Sequence, residues 1–419
     1  MLNKLYNYSR KDFNKIYSSL SDLVINTPLE YNTRLSKKYN CNLYLKREDL
    51  QNVRSFKIRG AYNKMLNLTE DERKRGVVCA SAGNHAQGVA LSARHLGISC
   101  DIYIPNKTPL QKIDRIKHFG DDNCNVIQYG NDLTECLDKA VNVCLDNNKE
   151  FIHPYNDENV IIGQATVAKE IYDIITPDVI VGSVGGDGLL SGISIYSNHI
   201  IKKPCDIVGV EPDSCPSLEK ALINNNPIKT PILDTFVDGA TVNRIGDLNF
   251  EILRDNINYN YSVPIGLVCE SMLDLYKEDG IITEPAGALS VSCLSKIPPN
   301  VIENKNVVCV ISGGNNDISR YPEIVDRYLE YQGLKHYYIV QFAQKPEQLK
   351  DFINKVLPEG VDIVRFEYIK KTNKQYGNVL IGIELKSPGK IDEINNLLEN
   401  NNFEYVKLNK DELLYSYLV

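Results

Sequence analysis

A lysine at position 57 lies in a segment with the composition needed for amine chemistry. The segment RSFKIRGA, Arg54–Ala61, closely follows KREDL at 46–50. A lone lysine is usually a solvated surface side chain, and for Lys57 alone that interpretation stays open. A lysine beside apolar groups has a lowered pKa and can form an imine with an aldehyde. Lys57, which follows Phe56, is therefore a candidate for holding an aldehyde cofactor.

A second segment leads from an apolar strand into a helix through small residues, CASAGNHAQG at 79–88. Asn84 is predicted to cap the helix, and free amides at such a turn bind a carboxylate or a ring hydroxyl. An ordinary strand-to-helix turn is the alternative, and the segment alone does not decide between them. His85 falls in the first turn of the helix, where histidine more often orients or packs, so we assign it no proton transfer.

A third segment suits a phosphate group. Glycines cluster between an apolar strand and a helix in GSVGGDGLLSG, 182–192. Such a turn lets backbone amides approach a phosphate. A dinucleotide fingerprint would require glycine where Ser191 stands, and the chain has no GK[ST] sequence of a nucleotide P-loop. The pattern favours a smaller phosphate.

A fourth segment, VVCVISGGNND at 307–317, is a buried strand that ends in a hydroxyl and two glycines. Ser312 is in position to face a ligand at the strand end. A cap of the following helix is the alternative, and the segment alone leaves both open.

Strands and helices alternate between residues 40 and 330, which predicts a mostly parallel sheet covered on both faces. Ligands then collect at the carboxyl ends of the strands. Helices are predicted at His85–Leu96, Leu133–Cys144 and Val160–Ile175. The predicted strands are Leu43–Lys46, Val77–Ala80, Cys100–Pro105, Val126–Tyr129, Val179–Ser183, Asp206–Glu211 and Asn306–Ser312.

The order of predicted strands and helices changes after a helix predicted at Arg320–Gln332. Residues 333–336 are predicted to form a hinge, and the remaining chain follows the order βαββαβ of a ferredoxin-like α+β unit. This unit, residues 337–419, is long enough to fold alone. A second domain is therefore expected.

Composition narrows the class of protein. The 419 residues suffice for two to three domains, with 43% hydrophobic and 24% charged residues and a net charge of −7. No basic stripe suggests nucleic acid as a partner. The 11 cysteines include no CxxC pair, which favours buried free thiols over zinc ligation, and no metal is expected. No signal peptide and no apolar run of membrane length is found, so we expect a cytoplasmic protein without membrane contact.

Taken in this order, the four segments resemble the pyridoxal-phosphate enzymes of the tryptophan-synthase β fold type, and within it the threonine dehydratase (threonine deaminase) family. The resemblance covers nearly the whole chain, including EPAGA at 284–288. It implies an α/β catalytic domain, residues 1–332, of two open parallel-sheet subdomains, and an ACT-like regulatory domain, residues 337–419. It also implies pyridoxal 5′-phosphate and β-elimination of L-threonine to 2-oxobutanoate and ammonia, the first committed step toward isoleucine, with L-serine as a further substrate.

The resemblance also implies residue roles. Lys57 forms the Schiff base with the cofactor and removes the substrate α-proton. Ser312 faces the pyridine nitrogen, where a neutral hydroxyl favours β-elimination. Glu284 lies near the cofactor ring, although Glu before Pro285 is also an ordinary helix start. The implied cofactor contacts are Phe56, Lys57, Asn84, Gly185, Gly186, Asp187, Gly188, Leu189, Glu284 and Ser312, and the substrate carboxylate is held by Ser81, Ala82, Gly83, Asn84 and His85.

Three positions bear on related reactions and on cofactor binding. The family's phosphate turn usually has four consecutive glycines, whereas the third position here is Asp187. A carboxylate near a phosphate costs about 1 to 4 kcal/mol unless its side chain points away. Serine racemases of this fold carry a hydroxyl residue where this chain has Ala82, which disfavours racemisation. Isoleucine after Lys57, instead of aspartate, disfavours the cysteine and threonine synthases.

Alternatives remain for the whole chain and for its terminal domain. The chain could be a serine dehydratase or racemase, or an amino-acid-sensing pseudoenzyme, although the intact Lys57, Asn84 and Ser312 argue against a pseudoenzyme. The terminal domain resembles a sensor of branched-chain amino acids, with isoleucine and valine as expected effectors. An inert dimerisation module is the alternative for it. A homo-oligomer, dimer or tetramer, is expected.

Overall fold

The computed structural model describes residues 5–369, 374–409 and 413–418. The chain divides into two compact units, Met1–Asp317 and Ile318–Val419. The outer limits of the two domains expected from the sequence, at residues 1 and 419, lie outside the described residues.

Strands in the described residues form three sheets. They are β1 (Leu29–Tyr31), β2 (Asn42–Arg47), β3 (Val77–Ala80), β4 (Cys100–Ile104), β5 (Cys124–Gln128), β6 (Glu150–Phe151), β7 (Val179–Ser183), β8 (Asp206–Pro212), β9 (Tyr259–Val263), β10 (Asn306–Ile311), β11 (Lys335–Ala343), β12 (Val361–Tyr368), β13 (Tyr376–Leu385) and β14 (Tyr405–Leu408).

Helices separate most of these strands. They are α1 (Arg10–Leu20), α2 (Thr33–Tyr39), α3 (Lys57–Leu66), α4 (Glu70–Arg75), α5 (Asn84–Leu96), α6 (Leu110–Gly120), α7 (Leu133–Asn147), α8 (Glu158–Ile174), α9 (Gly188–Ser194), α10 (Ser217–Asn224), α11 (Asp247–Leu253), α12 (Ile265–Asp279), α13 (Pro285–Ser292), α14 (Pro299–Ile302), α15 (Tyr321–Tyr331), α16 (Gln348–Val356), α17 (Lys390–Asn400) and α18 (Leu413–Leu418).

The first unit contains two sheets. The larger has the strand order β1-β2-β10-β7-β8-β9, in which only β1 is antiparallel to its neighbour. The smaller has the order β5-β4-β3-β6, with all pairs parallel. Central strands such as β10 are buried along nearly their whole length, as expected of parallel strands covered on both faces. The predicted pair of parallel-sheet subdomains is confirmed.

Strand register brings the ends of three strands of the larger sheet together. Ile311 at the end of β10 pairs with Arg47 at the end of β2, and Cys309 pairs with Val181 in β7. Parallel strands end at one edge of the sheet, so Ser183 and Ser312 meet there. This edge carries the candidate site.

The second unit contains an antiparallel sheet of order β12-β13-β11-β14, with α16 and α17 in the connections. The predicted order βαββαβ is confirmed. The predicted hinge at 333–336 is wrong in its second half, because Lys335 and His336 already pair with β13. The unit has its own apolar core, which includes Phe342 and Phe352. The core of this unit is thus formed by its own residues.

All 11 cysteines are free thiols, and all but Cys124 and Cys205 are buried, which confirms the prediction of buried free cysteines. None of the helices in the described parts of the chain is both long and apolar enough to cross a membrane.

Candidate active site

Lys57 is the first residue of α3, and the loop before it is tied to the end of β10. The amide of Phe56 donates to the carbonyl of Ser312 at 3.2 Å. Ser55 forms a β-bridge with Gly313. These backbone bonds fix the start of α3 against the strand end, so the lysine side chain has a defined position although it lies on a loop-to-helix junction.

The Lys57 amine lies between a backbone carbonyl and an aromatic ring. Its Nζ donates to the carbonyl of Pro154 at 2.9 Å and lies 5.1 Å from the centre of the Phe56 ring. Burial lowers the pKa of Lys57 to about 8, and the nearby carboxyl groups of Glu284 and Asp187 oppose that shift. A lysine with this pKa is partly neutral near neutral pH and can act as a nucleophile or a base.

Two asparagines and a glutamate form a chain of hydrogen bonds at this edge. Asn84 Nδ2 donates to Glu284 Oε1 at 2.6 Å, and Asn315 Nδ2 donates to Asn84 Oδ1 at 2.7 Å. Burial raises the pKa of Glu284 to about 7, with a further contribution from Asp238, while the bond from Asn84 opposes it. The Asn84 amide is therefore held at both ends and keeps one N–H for a ligand.

Ser312 lies directly after β10 and is buried. Its hydroxyl accepts a hydrogen bond from Ser183 Oγ at 3.1 Å and donates to the carbonyl of Ala286 at 3.2 Å. No charged group contacts the Ser312 hydroxyl in these bonds. Of the two interpretations of Ser312, the helix cap is wrong, because the next helical turn in the described residues starts only at Ile318.

The glycine-rich segment forms the turn between β7 and α9. A Cβ added to Gly186 would lie 2.1 Å from the Tyr155 ring, and one added to Gly185 would lie 3.3 Å from Ala240. Asp187 has φ 70°, in the left-handed region, and Leu189 is buried in the first turn of α9. Only glycine allows the backbone to approach the Tyr155 ring and Ala240 so closely, which keeps the turn compact at the start of α9.

The turn from β3 to α5 contains Ser81 and Ala82. Gly83 has no atom within 4 Å of where a Cβ would stand, so the turn faces open space. His85 is buried, with Nε2 2.8 Å from the carbonyl of Ile152. Burial and, second, the charge of Lys57 lower the pKa of His85 to about 3, so its imidazole is neutral near neutral pH. That His85 transfers no proton stays a prediction.

The prediction that Asn84 caps α5 is wrong. Gly83 is the N-cap residue, with φ −126° and ψ −141°, and Asn84 is the first residue of the helix. The Asn84 side chain is turned toward Glu284 instead of toward its own helix. Glu284 is the N-cap residue of α13, with Pro285 at the first helical position, so the expected helix start is present and its carboxyl group also reaches the site.

Sequence reasoning missed four residues that contact the site residues. All four lie at or just after the carboxyl end of a strand. This position is the sequence signal that would have marked them as candidate site residues. They are Pro154 and Tyr155 after β6, Ser183 at the end of β7, and Asn315 after β10.

These groups fit pyridoxal phosphate. The set contains an amine of lowered pKa for an aldehyde, a close-packed glycine turn for a phosphate, an amide for a ring hydroxyl and a neutral hydroxyl for a ring nitrogen. The fit rests on the chemistry of the donors and on the place of the glycine turn between β7 and α9.

Comparison with known proteins leads to the same chemistry. Residues 20–313 match the family model of pyridoxal-phosphate-dependent enzymes, and residues 326–418 match that of the C-terminal regulatory domain of threonine dehydratase. The chain is 43% identical over 417 residues to the biosynthetic L-threonine dehydratase IlvA of Staphylococcus aureus, with 98% of each chain covered.

Solved structures resemble the chain as well. The processed form of threonine deaminase isoform 2 from Solanum lycopersicum has a TM-score of 0.71 and 33% identity, over 76% of this chain and 93% of that one. Maize serine racemase has a TM-score of 0.70 and 26% identity, over 77% of this chain and 98% of that one. The chain belongs to the biosynthetic threonine dehydratases, which are pyridoxal-phosphate-dependent enzymes with a C-terminal regulatory domain.

Proposed function

We propose that this chain converts L-threonine to 2-oxobutanoate and ammonia at the site around Lys57, and that it accepts L-serine in the same reaction. The observation that carries the proposal is the Lys57 amine. It has a lowered pKa, and its Nζ donates to the carbonyl of Pro154, the residue before Tyr155, whose ring packs against the glycine turn. This is the arrangement that a pyridoxal-phosphate lyase requires.

Lys57 has two tasks in this proposal. Pyridoxal phosphate, when bound, supplies an electron sink for negative charge at the substrate α-carbon. Lys57 Nζ attaches the cofactor and later, as a neutral amine, takes the α-proton. The pKa of about 8 supports both tasks, because a fraction of the amine is unprotonated near neutral pH.

The groups around the ring favour loss of the β-hydroxyl. Ser312 faces the ring nitrogen in this proposal, and its hydroxyl must rotate away from the carbonyl of Ala286 to do so. With the neutral Ser312 hydroxyl at that position, a bound cofactor would be a weaker electron sink than with a carboxylate there, which would favour early loss of the substrate β-hydroxyl. Asn84 holds the ring hydroxyl with its second N–H.

The turn Ser81–His85 is proposed to hold the substrate carboxylate. Its support is the open space beside Gly83 at the start of α5, where the helix dipole favours an anion. Ala82 carries no group that exchanges a proton, which argues against racemisation. L-serine also has a β-hydroxyl, and its smaller side chain fits wherever threonine fits.

We further infer that residues 337–419 regulate a catalytic region of residues 1–332. Support comes from the match of residues 326–418 to a regulatory domain and from the separate core of the second unit. Isoleucine and valine are the proposed effectors. A homo-oligomer is proposed from the resemblance, and a cytoplasmic location from the free cysteines and the biosynthetic relatives.

The proposal is tested by incubating the purified full-length chain with L-threonine and with L-serine. We expect 2-oxobutanoate from threonine, pyruvate from serine, and one ammonia per keto acid. Borohydride, which reduces an imine, should remove both activities. Failure to release keto acid from threonine would contradict the proposed reaction, whereas release from threonine alone would contradict only the serine part.

A further inference from the structure

Asp187 provides the only side chain among the four residues 185–188 of the glycine turn. Its backbone has φ 70° and ψ 19°, a conformation that L residues other than aspartate and asparagine rarely adopt. Gly186 and Gly188 on either side pack against Tyr155. The Asp187 side chain therefore extends from a backbone position that is held in a tightly packed turn.

The Asp187 carboxyl is buried without a partner. The residue is 3% exposed, and neither Oδ1 nor Oδ2 has a hydrogen-bond partner among the described residues. The side chain does not cap α9, which begins at the next residue. An ionised carboxylate in such a place is costly, and a buried carboxyl group without donors keeps its proton instead.

Ionisable side chains from three parts of the chain interact electrostatically with Asp187. Glu211 on β8 and Tyr155 after β6 interact with it, and both disfavour its negative charge when ionised; Lys57 on α3 favours that charge. Burial is the largest effect and Glu211 the second, so the pKa of Asp187 lies well above its ordinary value.

Glu211 has donors that Asp187 lacks among the described residues, although burial still raises the pKa of Glu211. Its oxygens accept from the amide of Leu218 at 2.6 Å, from the amide of Glu219 at 2.9 Å and from Asn260 Nδ2 at 2.7 Å. Asp187 receives no such donors from the described residues. A protonated carboxyl group has one O–H to donate, and a phosphate is a strong acceptor.

We propose that Asp187 carries its proton near neutral pH and donates it in a hydrogen bond to the cofactor phosphate, so that cofactor affinity falls as Asp187 ionises. The inference rests on the proposed binding of that phosphate in the turn at residues 185–189. A residue that would repel the phosphate as an anion becomes a phosphate ligand as an acid. Cofactor retention is then sensitive to pH at this one position.

Equilibrium dialysis of the full-length holoenzyme tests this, with free pyridoxal phosphate measured between about pH 6.5 and pH 9. Asp187→Asn keeps a donor and tolerates the left-handed backbone but cannot ionise; Asp187→Gly has neither donor nor charge. We expect the ratio of the wild-type Kd to the Asp187→Asn Kd to rise with pH, by at most about tenfold per pH unit. Near neutral pH, Asp187→Gly should bind severalfold more weakly than wild type.

A second dialysis uses pyridoxine 5′-phosphate as competitor. This compound has an alcohol in place of the aldehyde, so it cannot form an imine with Lys57. The ratio of its wild-type Kd to its Asp187→Asn Kd therefore reports no imine formation, and we expect this ratio to show the same rise with pH. A ratio that does not change with pH, or Asp187→Gly binding as tightly as wild type near neutral pH, would overturn the inference while leaving the cofactor site intact. Loss of the cofactor from every protein at every pH would instead contradict the proposed function.

Discussion

Asn84 and Glu284 are 200 residues apart in the chain, yet Asn84 Nδ2 donates to Glu284 Oε1 at 2.6 Å. The bond joins the start of α5 to the start of α13. It orients the one amide that we propose to hold the cofactor ring and gives the buried Glu284 carboxyl a donor. Two sheets of the first unit are thereby connected at the site.

We predict that the free energy of unfolding depends on pH through Glu284. Its pKa is raised to about 7 from 4.5, so its contribution to folding is fully present below pH 4.5 and is lost as pH rises through about 7. Relative to Glu284→Gln, the wild-type free energy of unfolding should therefore fall over this range, by at most about 3 kcal/mol. Denaturant unfolding of both proteins at several pH values between 4.5 and about 7 measures this difference. Glu278→Gln is the control, because Glu278 is exposed. A constant difference between wild type and Glu284→Gln would show that the carboxyl does not titrate there.

We predict that removing the charge of Arg59 strongly lowers the free energy of unfolding. It is fully buried and bonds Glu48 at 2.7 Å and Glu170 at 2.8 Å. Among the described residues, Arg59→Met leaves the two buried carboxylates with Lys46 as their remaining cation and should cost about 3 to 5 kcal/mol. Arg94→Met is the matched control, because its ion pair with Asp121 is exposed and should contribute less than about 1 kcal/mol. Denaturant unfolding compares them, and similar midpoints for both variants would refute the prediction.

We predict that a hydroxyl group added at position 82 gives the protein a racemase activity. Ala82→Ser should form detectable D-serine from L-serine, because a serine there provides a proton on the far face of the α-carbon. Chiral chromatography of the products measures this, and Ala82→Gly, without a hydroxyl, is the control. Racemisation by the wild-type protein at the rate of its elimination would contradict the assigned role of Ala82.

The second unit predicts allosteric behaviour. Isoleucine should raise the threonine concentration for half-maximal rate, by a factor in the range of about 5 to 150, and valine should oppose it. A chain ending at Gln332 should remain active without this response. Threonine saturation curves with and without each amino acid provide the measurement. Identical curves for the full-length chain would indicate that residues 337–419 serve assembly instead.

The local part of the site could be predicted from sequence, and the part made by distant residues could not. Lys57, the glycine turn and Ser312 each follow a recognisable local pattern of strand end and small residues. The bond between Asn84 and Glu284 depends on the packing of two sheets, which no local pattern encodes. The N-cap prediction for Asn84 was wrong because Gly83 adopts a backbone conformation that takes the cap position.

The same limit applies to the fold. Long apolar strands such as β7 and β10 were predicted with bounds within one residue of those observed. The short strands β1 and β6, of 3 and 2 residues, were missed because they exist only through pairing with a neighbour. Strand β9, which has the sequence YNYSV, was missed because it lacks an apolar run.

The measurement that tests the central claim most directly compares wild type with Lys57→Ala in two readouts. The wild-type protein should show the visible absorbance of a pyridoxal phosphate imine, which borohydride removes, and should release 2-oxobutanoate from L-threonine. Lys57→Ala should lose that absorbance and at least about a thousandfold in turnover, because the attachment of the cofactor and the base are both lost. Near-normal turnover by Lys57→Ala would contradict the account of this site.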